Sequence, residues 1–127
     1  MKLTKQNTPT YRAKSKEQKN TYVEGLLIGV DVETDLCTIR TKDDYIGGEI
    51  CYLHTLSINF SDMLSQGNKI FASLQKDGRG GDILISTKYK YVLSFDGFKF
   101  NLQRLYSQTS FDELDRWENF EIIGIKE

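Results

Sequence analysis

Short apolar runs alternate with polar residues along most of this chain, and proline occurs once, at Pro9. A repeat of two residues places alternate side chains on opposite faces of an extended backbone, so this pattern is typical of half-buried β-strands. Each predicted strand is bounded by Gly, Asp or Asn, or by the end of the chain. The predicted strands are Thr21–Gly29, Leu36–Arg40, Glu49–His54 and Phe120–Lys126, with further strands in residues 82–104. Because there is no repeat, linker or low-complexity segment, residues 1–127 are predicted to form one mainly β domain, a small antiparallel sheet or barrel with at least six strands and one or two short helical turns.

The clearest local signal is a β-hairpin in the segment YKYVLSFDGFKFNLQRL, residues 89–105. Asp96 and Gly97 separate two alternating runs, and an Asp-Gly pair is a preferred sequence for a two-residue type I′ turn. Such a turn places Phe95 opposite Phe98, and it brings apolar side chains together on one face of the hairpin.

Two segments are candidates for short helical turns. Ser110 to Glu113 fits a capping box, and Phe111, Leu114 and Trp117 would share one face of the turns that follow. The segment from Phe60 to Gln66 is a weaker candidate. Both are expected to interrupt a chain that is otherwise made of strands.

The stretch KDGRGGDILI, residues 76–85, raises the question of a phosphate-binding loop. Such a loop directs backbone N–H groups at the anion from the start of a helix, and a Lys and a Ser or Thr complete the site. Here the glycines lack the Gly-Lys-Ser/Thr ending, and an apolar β-branched run follows them. We therefore predict a turn at the tip of a hairpin, with Asp82–Ser86 as the next strand.

Other residues with catalytic or metal-binding chemistry do not form a recognisable site. Ser73 and Lys76 match the Ser-x-x-Lys pair of penicillin-recognising enzymes, but the further motifs of those enzymes are missing. Cys51, His54 and Cys37 offer zinc-ligand chemistry, yet positions 51 and 54 of one strand point to opposite faces. We predict no catalytic residues, no metal and no cofactor, and an enzymatic function is disfavoured without being excluded.

The carboxylates do not suggest an acid/base pair either. They occupy consecutive or surface-helix positions, which favours solvation over opposed catalytic roles. They are Asp43, Asp44, Asp112, Glu113, Asp115 and Glu118.

Charge is distributed unevenly although the formal net charge is only −1. Residues 1–19 contain six basic residues against Glu17 alone, and residues 1–9 are predicted to be a flexible basic arm. Basic side chains interleaved with tyrosines can follow a phosphate backbone and stack on bases, so nucleic-acid binding is the alternative function. The residues of that alternative are Arg12, Lys14, Lys16, Lys88, Tyr89, Lys90, Lys99 and Arg104.

The chain lacks a signal-peptide pattern and has no apolar run of the roughly 18 residues that a membrane span requires. Cys37 and Cys51 lie in apolar or β-branched surroundings. A cytoplasmic protein with free thiols and no membrane association is therefore expected.

Four segments resemble the YopX-like family of phage and prophage proteins. YRAKSKEQKNTYVEG, residues 11–25, is similar to the family's opening, in which an aromatic-Arg-small-Lys-Ser run leads through a charged turn into a strand. IFASLQKDGRGGDILI, residues 70–85, resembles its central segment ending in Gly-Asp-Ile-Val, and YVLSFDGFKFNL with FEIIGIKE resembles its closing strands. Ser73 stands where the family prefers Gly, and the stretch between Gly78 and Gly81 is shorter than in the family.

The resemblance implies a mainly β protein that is encoded by a phage or prophage and has no established activity. It carries no catalytic residues over to this chain. Strand edges and aromatic-rich strands commonly pair with other chains. The leading hypothesis is therefore a non-catalytic accessory protein that self-associates as a homo-oligomer or binds another phage or host protein.

Overall fold

The fold was examined in a computed structural model, which describes residues 9–41, 47–60, 64–65, 67–86, 89–97, 99–104, 111–113 and 120–127. These residues form thirteen strands and one short 3₁₀ turn, so the expected mainly β fold is confirmed. The strands are β1 (Thr10–Lys14), β2 (Tyr22–Asp31), β3 (Leu36–Arg40), β4 (Glu49–Tyr52), β5 (Ser57–Asn59), β6 (Leu64–Ser65), β7 (Asn68–Lys69), β8 (Ala72–Ser73), β9 (Asp82–Ser86), β10 (Tyr89–Phe95), β11 (Phe100–Arg104), β12 (Phe111–Glu113) and β13 (Glu121–Ile125).

One curled sheet of eleven strands contains all of these except the β6–β7 pair. Its main path runs β12-β11-β10-β8-β5-β1-β2-β3-β4, and β9 pairs with both β10 and β13. The pairings are antiparallel apart from a parallel contact between β8 and β10 at Ser73 and Ser94. Within the described residues, no helix has the length and apolar character needed to cross a membrane.

The sheet closes on itself at the β4 end. Ser15, just after β1, forms a bridge with Cys51 of β4, and the Lys16 N–H donates to the Ile50 carbonyl oxygen at 2.9 Å. The strands β1 to β4 therefore surround a small apolar cluster. Its buried members are Ala13, Val23, Cys37, Ile39, Cys51 and Leu56.

A second, larger cluster lies at the β10 end of the sheet. Its buried members are Ile58, Ile70, Ala72, Leu84, Tyr91, Leu93 and Leu102. Tyr11 and Leu74 pack against both clusters, so the two parts of the core are continuous. Side chains from strands at both ends of the chain thus share one interior.

The opposite face of β1 is covered by the glycine-rich segment, residues 74–82. Because Tyr11 and Ala13 face the clusters, Arg12 between them points the other way, and it is only 6% exposed. Its guanidinium donates to the Gly80 carbonyl oxygen at 2.9 Å and to the Asp82 carboxylate at 2.8 Å. It also lies over the Phe71 ring, 4.4 Å from the centroid. The segment is therefore packed onto the sheet by a buried ion pair.

Backbone hydrogen bonds complete the attachment of this segment. Gly80 N–H donates to the Lys126 carbonyl oxygen at 2.8 Å, and Lys126 N–H donates to the Gly81 carbonyl oxygen at 2.9 Å. At the base of the loop, Asp82 N–H donates to the Phe71 carbonyl oxygen at 2.9 Å, and the Asp82 carboxylate accepts the Phe71 N–H at 2.8 Å. The C-terminal end of the chain is thereby joined to its middle.

The predicted turn and the strand Asp82–Ser86 are confirmed, but the flanking strands do not pair with each other. β8 pairs with β5 and β10, whereas β9 pairs with β10 and β13. The segment is therefore a loop that covers the sheet, and the prediction that it is the tip of a hairpin is wrong in its pairing.

The β10–β11 hairpin is present with a different register. Phe95 pairs with Phe100 and Leu93 with Leu102, so the connection is longer than the predicted two residues. Lys99 N–H donates to the Asp96 side chain at 3.0 Å, which closes the longer turn. A shift of two residues leaves every side chain on its predicted face. Phe98, the predicted partner of Phe95, lies outside the described residues.

Both predicted helical turns are wrong where the structure describes them. Phe111–Glu113 is strand β12, paired with β11, and Leu64–Ser65 is strand β6. The pairing of a neighbouring strand overrides the local capping signal in the first case. In the described part of the chain, the helical turn is instead at Leu53–Thr55, directly after β4. Leu114 and Trp117 lie outside the described residues.

We predict that Gly80→Ala strongly destabilises the protein, to the extent that it fails to fold. A Cβ at this position would lie 1.9 Å from the Thr55 carbonyl oxygen, and the backbone φ of +85° is unfavourable for alanine. Gly97→Ala is the matched control, because its φ is +98° but nothing lies within 4 Å of its Cβ. It is expected to cost only about 1–2 kcal/mol. Circular dichroism shows whether each variant folds, and urea unfolding gives the stability of a variant that does. Two folded variants with equal losses of stability would contradict the packing described for the loop.

We also predict that Asp82→Ala costs about 3–5 kcal/mol in urea unfolding at neutral pH, because it leaves the buried Arg12 guanidinium and the Phe71 N–H without the carboxyl group to which both donate. The control is Asp77→Ala, which removes the exposed ion pair to Arg79 and is expected to cost about 1 kcal/mol or less. An Asp82→Ala protein as stable as the Asp77→Ala protein would show that the pair does not hold the loop.

The pH dependence of this pair has a definite sign. Burial raises the pKa of Asp82, although Arg12 and the Phe71 N–H act against that shift. The folded chain therefore binds the proton of the Asp82 carboxyl group more tightly than the unfolded chain does. The contribution of the carboxyl to stability is greatest below its ordinary pKa and declines as the pH rises through the raised pKa of the folded state.

Candidate interaction surface

The hairpin of β2 and β3 carries an unpaired strand edge in the described part of the chain. β2 has ten residues, but only Tyr22–Gly25 pair with β1, and Leu26–Asp31 pair with β3 alone among the described strands. A bulge between Leu27 and Gly29 shifts the register of this hairpin. The outer half of β2 is therefore an edge of the sheet in the described part of the chain, next to β3, which pairs with β4 on its other side.

This hairpin exposes several large apolar side chains. Seven large apolar side chains are exposed in the described part of the chain, and five of them lie on or beside this hairpin. We call them the apolar ribbon: Leu26, Ile28, Val30, Val32 and, from β4, Ile50. Val32 at the turn is 79% exposed. Apolar surface concentrated in one place is typical of an interaction site, whereas scattered apolar residues are not.

An open groove of about 320 Å³ runs beside this surface. It is lined by Val30 and Ile50 of the ribbon, and also by Leu36, Cys37 and Thr38 of β3. The groove is at the small end of the range for ligand pockets. Its dimensions suit an apolar side chain of a partner.

The hairpin turn is held rigidly against the body of the protein. The Asp31 carboxylate accepts the backbone N–H groups of Glu33 and Thr34, at 3.1 and 3.4 Å. Asp35 adopts a left-handed conformation with φ of 58°, its carbonyl oxygen accepts the Leu53 N–H at 2.9 Å, and its carboxylate pairs with His54 Nδ1 at 2.5 Å. The 3₁₀ turn thus fixes the ribbon in one orientation, which lowers the entropy cost of binding a partner.

The structure divides the residues predicted to bind nucleic acid. Arg12 is buried and paired with Asp82, so it does not belong to a phosphate-binding surface, because its charge is already neutralised. Lys14 is half-buried, whereas Lys16, Lys90 and Lys99 are exposed. Lys88 lies outside the described residues, as do the side chains of Tyr89 and Arg104.

The exposed lysines of this set are not brought into one patch by neighbouring strands. β1 and β10 are three steps apart in the sheet, with β5 and β8 between them. At about 4.8 Å a step, that separation is about 14 Å. Residues 1–8, which are all of the predicted flexible basic arm except Pro9, lie outside the described residues.

The glycine-rich loop does not form a phosphate site. Its N–H groups are used inside the protein, as Gly78 N–H donates to Gln75 and Gly81 N–H donates to Gly78, both at 3.1 Å. Ser73, the first residue of the Ser-x-x-Lys pattern, is buried, and its hydroxyl donates to the Arg79 carbonyl oxygen at 2.6 Å. These groups shape the loop.

The candidate zinc ligands Cys51 and His54 are separated, but the predicted strand Glu49–His54 ends at Tyr52, so His54 lies in the 3₁₀ turn and not in the strand of Cys51. Cys51 is fully buried in the smaller cluster, whereas the His54 side chain is 36% exposed and pairs with Asp35. Cys37 faces Cys51 across β3 and β4. Among the described residues, no three His, Cys, Asp or Glu side chains converge as a metal site. Asp43, Asp44, Asp115 and Glu118 lie outside the described residues, as do the side chains of Asp112 and Glu113.

The sequence analysis did not identify the apolar ribbon. The signal available in the sequence is the run GLLIGV, residues 25–30, which has apolar residues on both faces of a strand. That pattern indicates either a strand covered on both faces or a strand with an uncovered apolar face, and only the tertiary structure distinguishes the two.

Comparison with known proteins found no matching family model, no matching curated protein and no matching solved structure. The resemblance to the YopX-like family therefore stays a prediction from the residues quoted above.

Proposed function

We propose that this chain is a non-catalytic accessory protein that works by self-association through the apolar ribbon. In keeping with the family it resembles, we place it among phage or prophage proteins that act in the cytoplasm. The observation that carries the proposal is that four exposed apolar side chains lie on one hairpin and a fifth, Ile50, lies beside them on β4.

The free backbone edge of β2 favours a second copy of the chain as the partner. On the side of β2 away from β3, the backbone from Leu26 to Asp31 has no partner strand in the described part of the chain. An edge of this kind pairs readily with another extended strand. Two copies related by a two-fold axis would pair their β2 edges antiparallel, each supplying the same surface to the other.

Charges at the two ends of the hairpin fit the same arrangement. Asp31 and Glu33 are exposed at the turn, and Arg40 is exposed at the other end, opposite Leu26. In an antiparallel pair, the acidic turn of one copy lies beside the Arg40 end of the other. This arrangement selects the antiparallel orientation over the parallel one, which would bring like charges together.

We do not propose nucleic-acid binding as the function, because no specific feature of the described structure supports it. The cation at the centre of the predicted set, Arg12, is neutralised inside the protein. The exposed Lys16 and Lys90 belong to separate parts of the sheet.

We predict that Ile28→Lys weakens self-association about tenfold or more, because it buries a charge at the centre of an apolar contact. Sedimentation velocity over a wide range of protein concentration measures the dissociation constant. Ile123→Lys on β13 is the matched control, since Ile123 is 44% exposed and Ile28 is 40% exposed. The control variant is expected to associate like the wild type.

Two results would overturn the proposed function. One is a wild-type protein that sediments as a monomer at every concentration. The other is an equal loss of association in both variants, which would assign the effect to net charge. Circular dichroism of each variant verifies that the fold is intact.

A further inference from the structure

We propose that Cys37 and Cys51 form a cross-strand disulfide when the chain folds in the presence of a small-molecule disulfide such as oxidised glutathione. The two residues are direct partners in the antiparallel pairing of β3 and β4. This inference is independent of the proposed self-association.

The register of the two strands satisfies the geometry of a disulfide. Directly opposed residues of antiparallel strands have Cα atoms about 4.5 or 5.5 Å apart, depending on the hydrogen-bonding type of the pair. Disulfides span Cα separations of about 4.4–6.8 Å, so both types of pair fall within the range. Directly opposed side chains also point to the same face of the sheet, which brings the two sulfur atoms together.

The surroundings of the pair suit an uncharged bond. Cys37 and Cys51 are 2% and 0% exposed, and both belong to the apolar cluster with Val23, Ile39 and Leu56. A disulfide carries no charge and needs no strong hydrogen bond, so it fits this environment. The bond would also lock β4 to β3, directly beneath the groove that Cys37 lines.

The same burial determines when the bond can form. Burial, assisted by the charge of Asp35, raises the pKa of Cys37 to about 11. Burial raises the pKa of Cys51 to about 12, and the neighbouring Cys37 and the acidic side chains of Glu49 and Glu17 add to this shift. The thiolate is the attacking species, and it is scarce in the folded protein at neutral pH. The bond therefore forms while the chain folds, before the cluster closes around the thiols.

The chemistry is two successive thiol–disulfide exchanges. One cysteine loses its proton, and its thiolate attacks a sulfur of oxidised glutathione. The S–S bond of glutathione breaks, a mixed disulfide forms, and one glutathione leaves as a thiolate that takes up a proton. The second cysteine thiolate attacks the protein sulfur of the mixed disulfide and releases the other glutathione. The protein loses two electrons and two protons, and one oxidised glutathione becomes two reduced molecules.

The test is refolding of the full chain from denaturant into glutathione redox buffer. Intact mass is expected to fall by two hydrogen atoms, and N-ethylmaleimide added in denaturant is expected to find no free thiol. The product is expected to have the near-ultraviolet circular dichroism of the reduced protein. Its thermal midpoint is expected to rise by roughly 10 °C, because the bond constrains the unfolded chain.

The matched control is Cys51→Ala, which keeps Cys37 but removes its partner. This variant is expected to gain a glutathione adduct or to form an intermolecular dimer, and to show no rise in thermal midpoint. A second measurement uses the folded reduced wild type, whose thiols are expected to react with N-ethylmaleimide many times more slowly than in denaturant.

Three outcomes would overturn the proposal. Wild-type protein that refolds with two free thiols, or with glutathione adducts only, shows that the two sulfur atoms do not meet. An oxidised product without the native circular dichroism shows that the bond does not fit the folded sheet.

Discussion

The buried ion pair between Arg12 and Asp82 is the contact on which the rest of the fold depends. It joins residues 70 positions apart in the chain and holds the glycine-rich loop over β1. Removing two charges from water costs free energy, so such a pair persists only where hydrogen bonds satisfy its remaining groups. Here the Gly80 carbonyl oxygen and the Phe71 N–H supply two of them, whereas Arg12 Nε has no hydrogen-bond partner in the described part of the chain. The pair therefore specifies one position of the loop, and the loop in turn binds the C-terminal strand through Lys126.

Glycine is what allows that loop to lie so close to the sheet. Gly80 and Gly81 contact the backbone at Thr55 and Leu93, where any side chain would overlap a carbonyl oxygen. The glycines are thus explained by close packing and by left-handed backbone conformations. The polar groups most suggestive of a ligand site, the loop N–H groups and the Ser73 hydroxyl, are used to hold this packing.

The two ends of the sheet have different physical properties. At the β10 end, aromatic side chains pack together, with the Phe95 and Phe100 rings stacked 4.5 Å apart and Phe60 meeting each of them edge-on. At the other end, β1 to β4 close around a cluster of aliphatic side chains and both cysteines. The outer half of β2 lies at an edge of the sheet, where Leu27 packs against that cluster while Leu26, Ile28 and Val30 remain exposed. The turn that follows is tied to the 3₁₀ turn by the pairing of Asp35 with His54.

The sequence by itself determined the local features of this protein. Alternation of apolar and polar residues located β3 at Leu36–Arg40 and placed β2, β4, β9 and β13 within a few residues of their observed bounds. The face of each side chain in the β10–β11 hairpin was also predictable, because a register shift of two residues preserves it. Only the tertiary structure decided what depends on residues far apart in the chain. The burial of Arg12, the conversion of a capping box into strand β12, the facing of Cys37 and Cys51, and the exposure of the apolar ribbon all arise in this way. Each depends on which strands become neighbours in the sheet, and a local pattern of hydrophobicity contains no information about the partner that covers it.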